Sequence, residues 1–344
     1  MALVSATAST AWQLWATPTI SISLVIEAER REPSLVRLLS RFVLLWRPSL
    51  LRDTLDYELS SGRLSDHVIS ATTLRVVDAA YYRSLGSQLW PTWNHDQSDL
   101  RSTPIYPEEL VVAISSAEGV ESGTRAYDLL QLSIERVLAT YNVVDKVVER
   151  IETAFDVKDT ASQKQLRKLY ETLRPGRELP QLVGKQWQDL GFQGTSPATD
   201  FRDLNSLALD ALLYFAREYE SRAIEVVDEA VGGGAHWYPL ALALIHMTAY
   251  ALELALSASP ASSDSAAEKL TSIDGDQDIS PFLRVTSELM LLFHAHWLRG
   301  NFTVMQFEQV SKQFQEVLTP YIRRGVLDGR ALGWYNQELR IKQD

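Results

Sequence analysis

The sequence predicts an all-α protein. Its long periodic segments step by three or four residues, and no stretch alternates convincingly at two. The cleanest runs from Thr124 to Phe155, where Leu130, Ile134, Val137, Tyr141, Val144, Val148, Ile151 and Phe155 form a narrow seam of about four heptads. Composition agrees: of 344 residues, 46% are apolar and 22% charged, enough for a packed core. A formal charge of −11 argues against nucleic acid as a partner, which would need a basic footprint. The chain has no Cys. That excludes disulfides, thiolate zinc sites and cysteine nucleophiles, and leaves a reducing compartment as the default.

Residues 1–26 carry no charge, but Ser, Thr and Pro18 interrupt each apolar run, and no basic segment precedes a hydrophobic block. A secretory signal is therefore not expected. From Pro33 a helix is predicted, with Leu35, Leu38, Leu39, Phe42, Leu45 and Trp46 on one side. Arg37, Arg41, Arg47 and Arg52 punctuate it, which suits a solvated face on a core helix or, alternatively, a membrane-surface helix. Residues 64–83 are helical by the same pattern. The stretch from Trp90 through Pro91, Trp93 and Asp96 to Pro104 and Pro107 cannot sustain a helix. It marks the end of an N-terminal helical region and linker, residues 1–110.

The seam helix packs lengthwise on a neighbour as a scaffold, or else on a second chain. Leu166, Leu169, Tyr170 and Leu173 continue the helical period up to Arg174-Pro175. Further on, Val231-Gly232-Gly233-Gly234-Ala235 lacks the Lys-Ser/Thr and the preceding strand of a phosphate loop, so it reads as a helix end. Tyr238-Pro239 then opens a helix with Pro in its first turn. Leu240, Leu244, Met247, Ala251 and Leu254 give it one stripe, and Leu242, Ile245, Leu252 and Leu256 cover the other faces. Such a helix is central in a core or in a bilayer; His246 and Glu253 favour the core. Residues 257–280 predict an acidic loop. Asp274, Asp276 and Asp278 have calcium-loop spacing, but Ile279 and Val285 stand where Gly and Glu are required. His294 and His296 are two apart on a helix and cannot share a metal. Two closing helices follow, Phe282–Trp297 and a second through Val304, Phe307, Val310, Phe314, Val317 and Tyr321, then a polar tail, residues 326–344.

The chain is organised around Trp187 to Phe215. A turn-rich segment, Gly191-Phe192-Gln193-Gly194-Thr195-Ser196-Pro197, leads to Thr199-Asp200-Phe201-Arg202. A helical run then carries Ala208, Leu212, Phe215, Tyr219, Ala223 and Val226 as one stripe, with Asp203, Asn205 and Ser206 as candidate N-caps. An always-charged planar fork sits on a short loop braced by Pro197, Trp187 and Phe201, and can be offered to a phosphate in trans.

These residues resemble the ELMO (engulfment and cell motility) domain, above all the small ELMO-domain proteins that activate Arf-like GTPases. The likeness rests on Trp187, Gly191, Phe192, Gln193, Gly194, Pro197, Thr199, Asp200, Phe201, Arg202, Leu207, Leu209, Leu212, Tyr214 and Phe215. It extends over about residues 118–325, the expected domain. Asp203, Asn205 and Ala208 stand where the family pattern has glycines.

The resemblance implies a GTPase-activating protein for an Arf/Arl-family GTPase in its GTP-bound form. Arg202 is then the catalytic residue. Asp200 would orient the loop or the Arg, Gln193 would hydrogen-bond within the loop, and Trp187 and Phe192 would hold its shape. Asp203 could pair with Arg202 or repel the phosphate. No cofactor or metal of its own is implied, because the GTPase carries nucleotide, magnesium and water. The alternative is a non-catalytic scaffold for a DOCK-type exchange factor acting on Rac. Either role is cytoplasmic, with peripheral membrane association as an option.

Overall fold

The computed structural model describes residues 49–60, 69, 73–74, 76–81, 107–232, 234–258 and 279–323. The expectations for residues 1–48, for the Trp90–Pro104 break, for the acidic loop with Asp274 and for the polar tail lie outside them. Among the described residues there is no strand. The fold is all-α.

The chain divides into two compact units, and the division falls inside one helix, at Thr140/Tyr141. In the first unit, α1 (Ser49–Ser60) and α2 (Pro107–Glu118) pack on each other. Leu50, Leu51 and Leu55 of α1 and Leu110, Val111 and Ile114 of α2 are buried. Pro107 opens α2 where its missing N–H costs nothing, and Glu108 and Glu109 face the positive end of the helix dipole. α3 (Arg125–Glu152) is the predicted seam helix, and within this unit its Leu130 and Ile134 are buried.

The second unit holds the rest of α3, then α4 (Thr160–Leu173), α5 (Ser206–Glu218), α6 (Glu220–Val231), α7 (Leu240–Ala258), α8 (Ser280–Arg299) and α9 (Phe307–Arg323). Asp159 caps α4 by accepting from the Ser162 N–H at 2.8 Å. α5 is central, packed by α4, α6, α7 and α8. One contiguous core runs through all of them, from Val147 to Leu318. α7 is long and apolar enough to cross a membrane by length and composition. Here it lies against α5, α6 and α8; of the predicted stripe Leu240, Leu244, Met247 and Ala251 are buried and Leu254 is half-buried. It begins at Leu240, so Pro239 precedes its first turn, and the Pro239 carbonyl accepts from the Ala243 N–H at 2.9 Å.

One expected helix is two. The stripe from Ala208 to Val226 breaks at Tyr219, whose φ of −120° and ψ of 29° leave the helical region. Its hydroxyl donates to Glu288 on α8 at 2.8 Å, and its ring stacks on Phe215. Phe215, Ala223 and Val226 are buried on either side of the break, so the apolar period passes across it unaltered.

Candidate functional site

The Trp187–Arg202 loop is built on a ladder of rings. Trp187 is fully buried, and its indole N–H donates to the Leu182 carbonyl at 2.9 Å. Edge-to-face contacts run from Tyr170 to Trp187 (5.7 Å), Trp187 to Phe192 (5.4 Å), Phe192 to Phe201 (5.9 Å) and Phe201 to Phe155 (5.0 Å). Each such pair adds about 0.5–1.5 kcal/mol beyond its buried area. The ladder therefore stiffens the loop from beneath.

A short 3₁₀ turn, Lys185–Leu190, ends on Gly191 in the left-handed conformation (φ 81°). A Cβ there would lie 2.2 Å from the Leu240 nitrogen. Only glycine lets the loop seat on the start of α7. Arg174 ties the same turn to α6, donating to the Asp189 carbonyl and to the Asp228 carboxylate.

The second half of the loop is a chain of short local bonds. Pro197 starts a second 3₁₀ turn, Pro197–Thr199, with its ring buried. The Ser196 carbonyl accepts from both the Thr199 N–H (3.2 Å) and its hydroxyl (2.8 Å). Asp200 Oδ2 accepts from the Gln193 N–H at 2.9 Å, which closes the loop across seven residues. Asp200 thus orients the loop and not the arginine. The Gln193 contribution is its backbone; its side chain is exposed.

Arg202 and Asp203 are both exposed. Arg202 Nε donates to the Thr199 carbonyl at 2.8 Å. Among the described residues its two terminal nitrogens have no partner within the chain, and no ion pair joins it to Asp203. Of the two roles open to Asp203, pairing with Arg202 is not made here. The guanidinium is pinned at its root and open at its tip.

Behind Arg202 the chain enters α5 through Asn205, the one non-glycine at positive φ among the described residues (φ 47°, ψ −129°). Asn205 occupies the N-cap position but caps nothing with its side chain. Instead its amide donates to the Ile151 carbonyl at 2.7 Å, and its own N–H donates to the Phe201 carbonyl at 2.6 Å. Ser206 donates to the Thr153 carbonyl with its hydroxyl (2.9 Å) and its N–H (3.2 Å). Unpaired donors at the start of α5 thus meet unpaired carbonyls at the end of α3. Arg150 and Asp210 add a two-pronged ion pair (2.6 and 3.0 Å) between the same helices, which raises the arginine pKa further. Ala208, at the third expected glycine place, is simply buried.

Sequence reasoning missed one polar cluster, a chain joining Glu229 on α6, His294 on α8 and Tyr238 before α7. Both imidazole contacts are 2.7 Å, Nε2 to Glu229 Oε2 and Nδ1 to the Tyr238 hydroxyl. A carboxylate only accepts, so Nε2 carries the proton and Nδ1 accepts from the phenol. Burial lowers the His294 pKa against the opposing pull of Glu229, and burial raises that of Tyr238. The partners lie 56 and 65 residues from His294, so no local spacing signals them. His296 packs at a tilt against Phe302 and Phe314, away from His294, as its spacing predicted. Among the described residues no cluster of side chains fits a metal.

The family model described as the ELMO/CED-12 family matches residues 145–311, and these include every residue of the loop. Residues 145–311 are an ELMO domain. The chain is 24% identical over 227 residues to ELMO domain-containing protein B of Dictyostelium discoideum, a match covering 64% of this chain and 76% of that protein. Mouse ELMO domain-containing protein 1 is 27% identical over 206 residues, covering 54% of this chain and 61% of the relative. Mouse ELMO domain-containing protein 2 is 35% identical over 102 residues, covering 30% and 33%. The chain thus spans less than two thirds of the length of both mouse relatives. The ELMO-domain family regulates small-GTPase signalling.

Proposed function

We propose that this ELMO domain is a GTPase-activating protein for an Arf/Arl-family GTPase, with Arg202 as the group supplied in trans. One observation carries the reading: Arg202 is held by Nε to the Thr199 carbonyl while both terminal nitrogens face outward, free of internal partners. The anchor fixes the plane of the fork, so less rotamer freedom is lost when it meets the phosphate. Charge develops on the transferred phosphoryl group, and two N–H donors there stabilise the transition state more than the bound nucleotide. An arginine so placed accelerates hydrolysis by about 10³–10⁵, or roughly 4–7 kcal/mol of barrier. Nucleotide, magnesium and water belong to the GTPase. The site of action on this reading is the cytoplasm.

A second reading has its own support. Asp203 is exposed beside Arg202, and Asn205 keeps a glycine-like backbone while adding a side chain, so the side chains next to the arginine depart from the family pattern. On that reading the domain binds a DOCK-type exchange factor or a GTPase without catalysis. GTP hydrolysis by a panel of GTP-loaded Arf-family GTPases, with and without the protein, separates the two. Stimulation by any member supports the activator; tight binding with unchanged hydrolysis across the panel rejects it.

A further inference from the structure

We propose that the surface carrying Trp237, Leu298 and Met305 is a docking face for an anionic lipid bilayer. These three large apolar side chains are 40%, 52% and 91% exposed. They lie on two segments that hydrogen bonds tie together. The Trp297 indole N–H donates to the His236 carbonyl at 2.7 Å, and His236 Nδ1 bonds the Phe302 carbonyl at 2.8 Å. Trp237 follows His236, Leu298 follows Trp297, and Met305 stands three residues past Phe302.

The support beneath is rigid. A Cβ on Gly300 would meet the Phe302 ring at 2.0 Å, so the ring folds directly over the glycine. That ring packs on His296 and Trp297, and a capping box between Thr303 and Gln306 sets the turn that bears Met305. The apolar side chains are therefore displayed on a braced corner and not on a loose loop.

Charge selects the occupant. Between Glu229 and Glu253 there is no Asp, Glu, Lys or Arg, and between Glu288 and Glu308 there is only Arg299. In a chain of net charge −11, these two segments together contribute one formal charge, the positive Arg299, and Glu308 follows just beyond them. An anionic surface repels the rest of the molecule and attracts Arg299, so this face is the one turned toward it. Trp237 suits the headgroup level, while Leu298 and Met305 reach the acyl boundary.

Docking through this face does not depend on the role of Arg202, and its test does not use hydrolysis. The full chain is sedimented with phosphatidylcholine vesicles made with and without phosphatidylserine. Binding is expected with phosphatidylserine, falling several-fold (about fivefold for one arginine) without it. The double variant Leu298→Asp with Met305→Asp should lose it while melting as the wild type does, since both positions are exposed. Three results would overturn the proposal: no binding to either vesicle, equal binding to both, or undiminished binding by the double variant. A concentration-dependent dimer that the same variant abolishes would assign the face to a second copy instead.

Discussion

The side-chain amide of Asn205 donates to the Ile151 carbonyl, 54 residues away, across 2.7 Å. That bond holds the start of α5 against the end of α3, one short turn behind Arg202. It also compensates for a backbone that favours glycine (φ 47°, ψ −129°). Asn205→Ala would lose the bond and keep the strain, a cost of about 2 kcal/mol. Asn205→Gly would lose the bond and relieve the strain, and should stay within about 1 kcal/mol of wild type. Urea unfolding of the three proteins checks both, and equal stability of the Ala and Gly variants would refute the strain.

Arg202→Lys should abolish stimulated hydrolysis and leave affinity for the GTP-loaded partner nearly unchanged. A lysine has neither the Nε anchor to Thr199 nor the outward fork. With no Asp203–Arg202 pair in the structure, Asp203 acts as a bare charge near the incoming phosphate. Asp203→Asn and Asp203→Gly should then raise stimulated hydrolysis alike, by several-fold, and added salt should narrow the gap to wild type. A gain confined to the glycine variant would point to the backbone instead. An Arg202→Lys protein as active as wild type ends the activator reading.

Asp200→Ala removes the acceptor for the Gln193 N–H and frees the loop at its closure. Stimulated hydrolysis should fall about 10²-fold, because a misplaced donor loses most of its benefit. Stability should fall by about 1–2 kcal/mol. Single-turnover kinetics beside thermal melting distinguish this from global unfolding; a drop in melting with full activity would make Asp200 purely structural.

Acid should destabilise the second unit through His296. Burial, assisted by the nearby Arg299 charge, lowers its pKa from 6.5 to about 4. The unfolded chain then binds the proton more readily, so stability is whole above pH 6.5 and is lost as pH falls toward 4. The loss is on the order of 3 kcal/mol. Asp145 works the other way: burial raises its pKa to about 6, which favours the folded state as pH falls toward 4. The His296 contribution is therefore read as the difference in pH slope between wild type and His296→Gln. Identical slopes would show that His296 does not titrate as described.

Helix identity and the place of the loop were legible in the sequence by itself. Periods of three and four mark one apolar face, and Leu166, Leu169, Tyr170 and Leu173 are buried as that period requires. The order Gly191, Pro197, Asp200, Arg202 announced a braced turn, because each residue type has a local backbone role. Tertiary structure alone decided the rest. The break at Tyr219 leaves no mark in the sequence, because Phe215 and Ala223 keep the same face whether the backbone between them is continuous or not. Whether Asp203 would grip Arg202 depended on where the guanidinium was already anchored, a matter of three-dimensional reach. The Ile151 carbonyl that holds Asn205, and the His294 between Tyr238 and Glu229, are partners more than fifty residues distant. Local periodicity carries no record of such pairs, which form only when packing has brought their helices together.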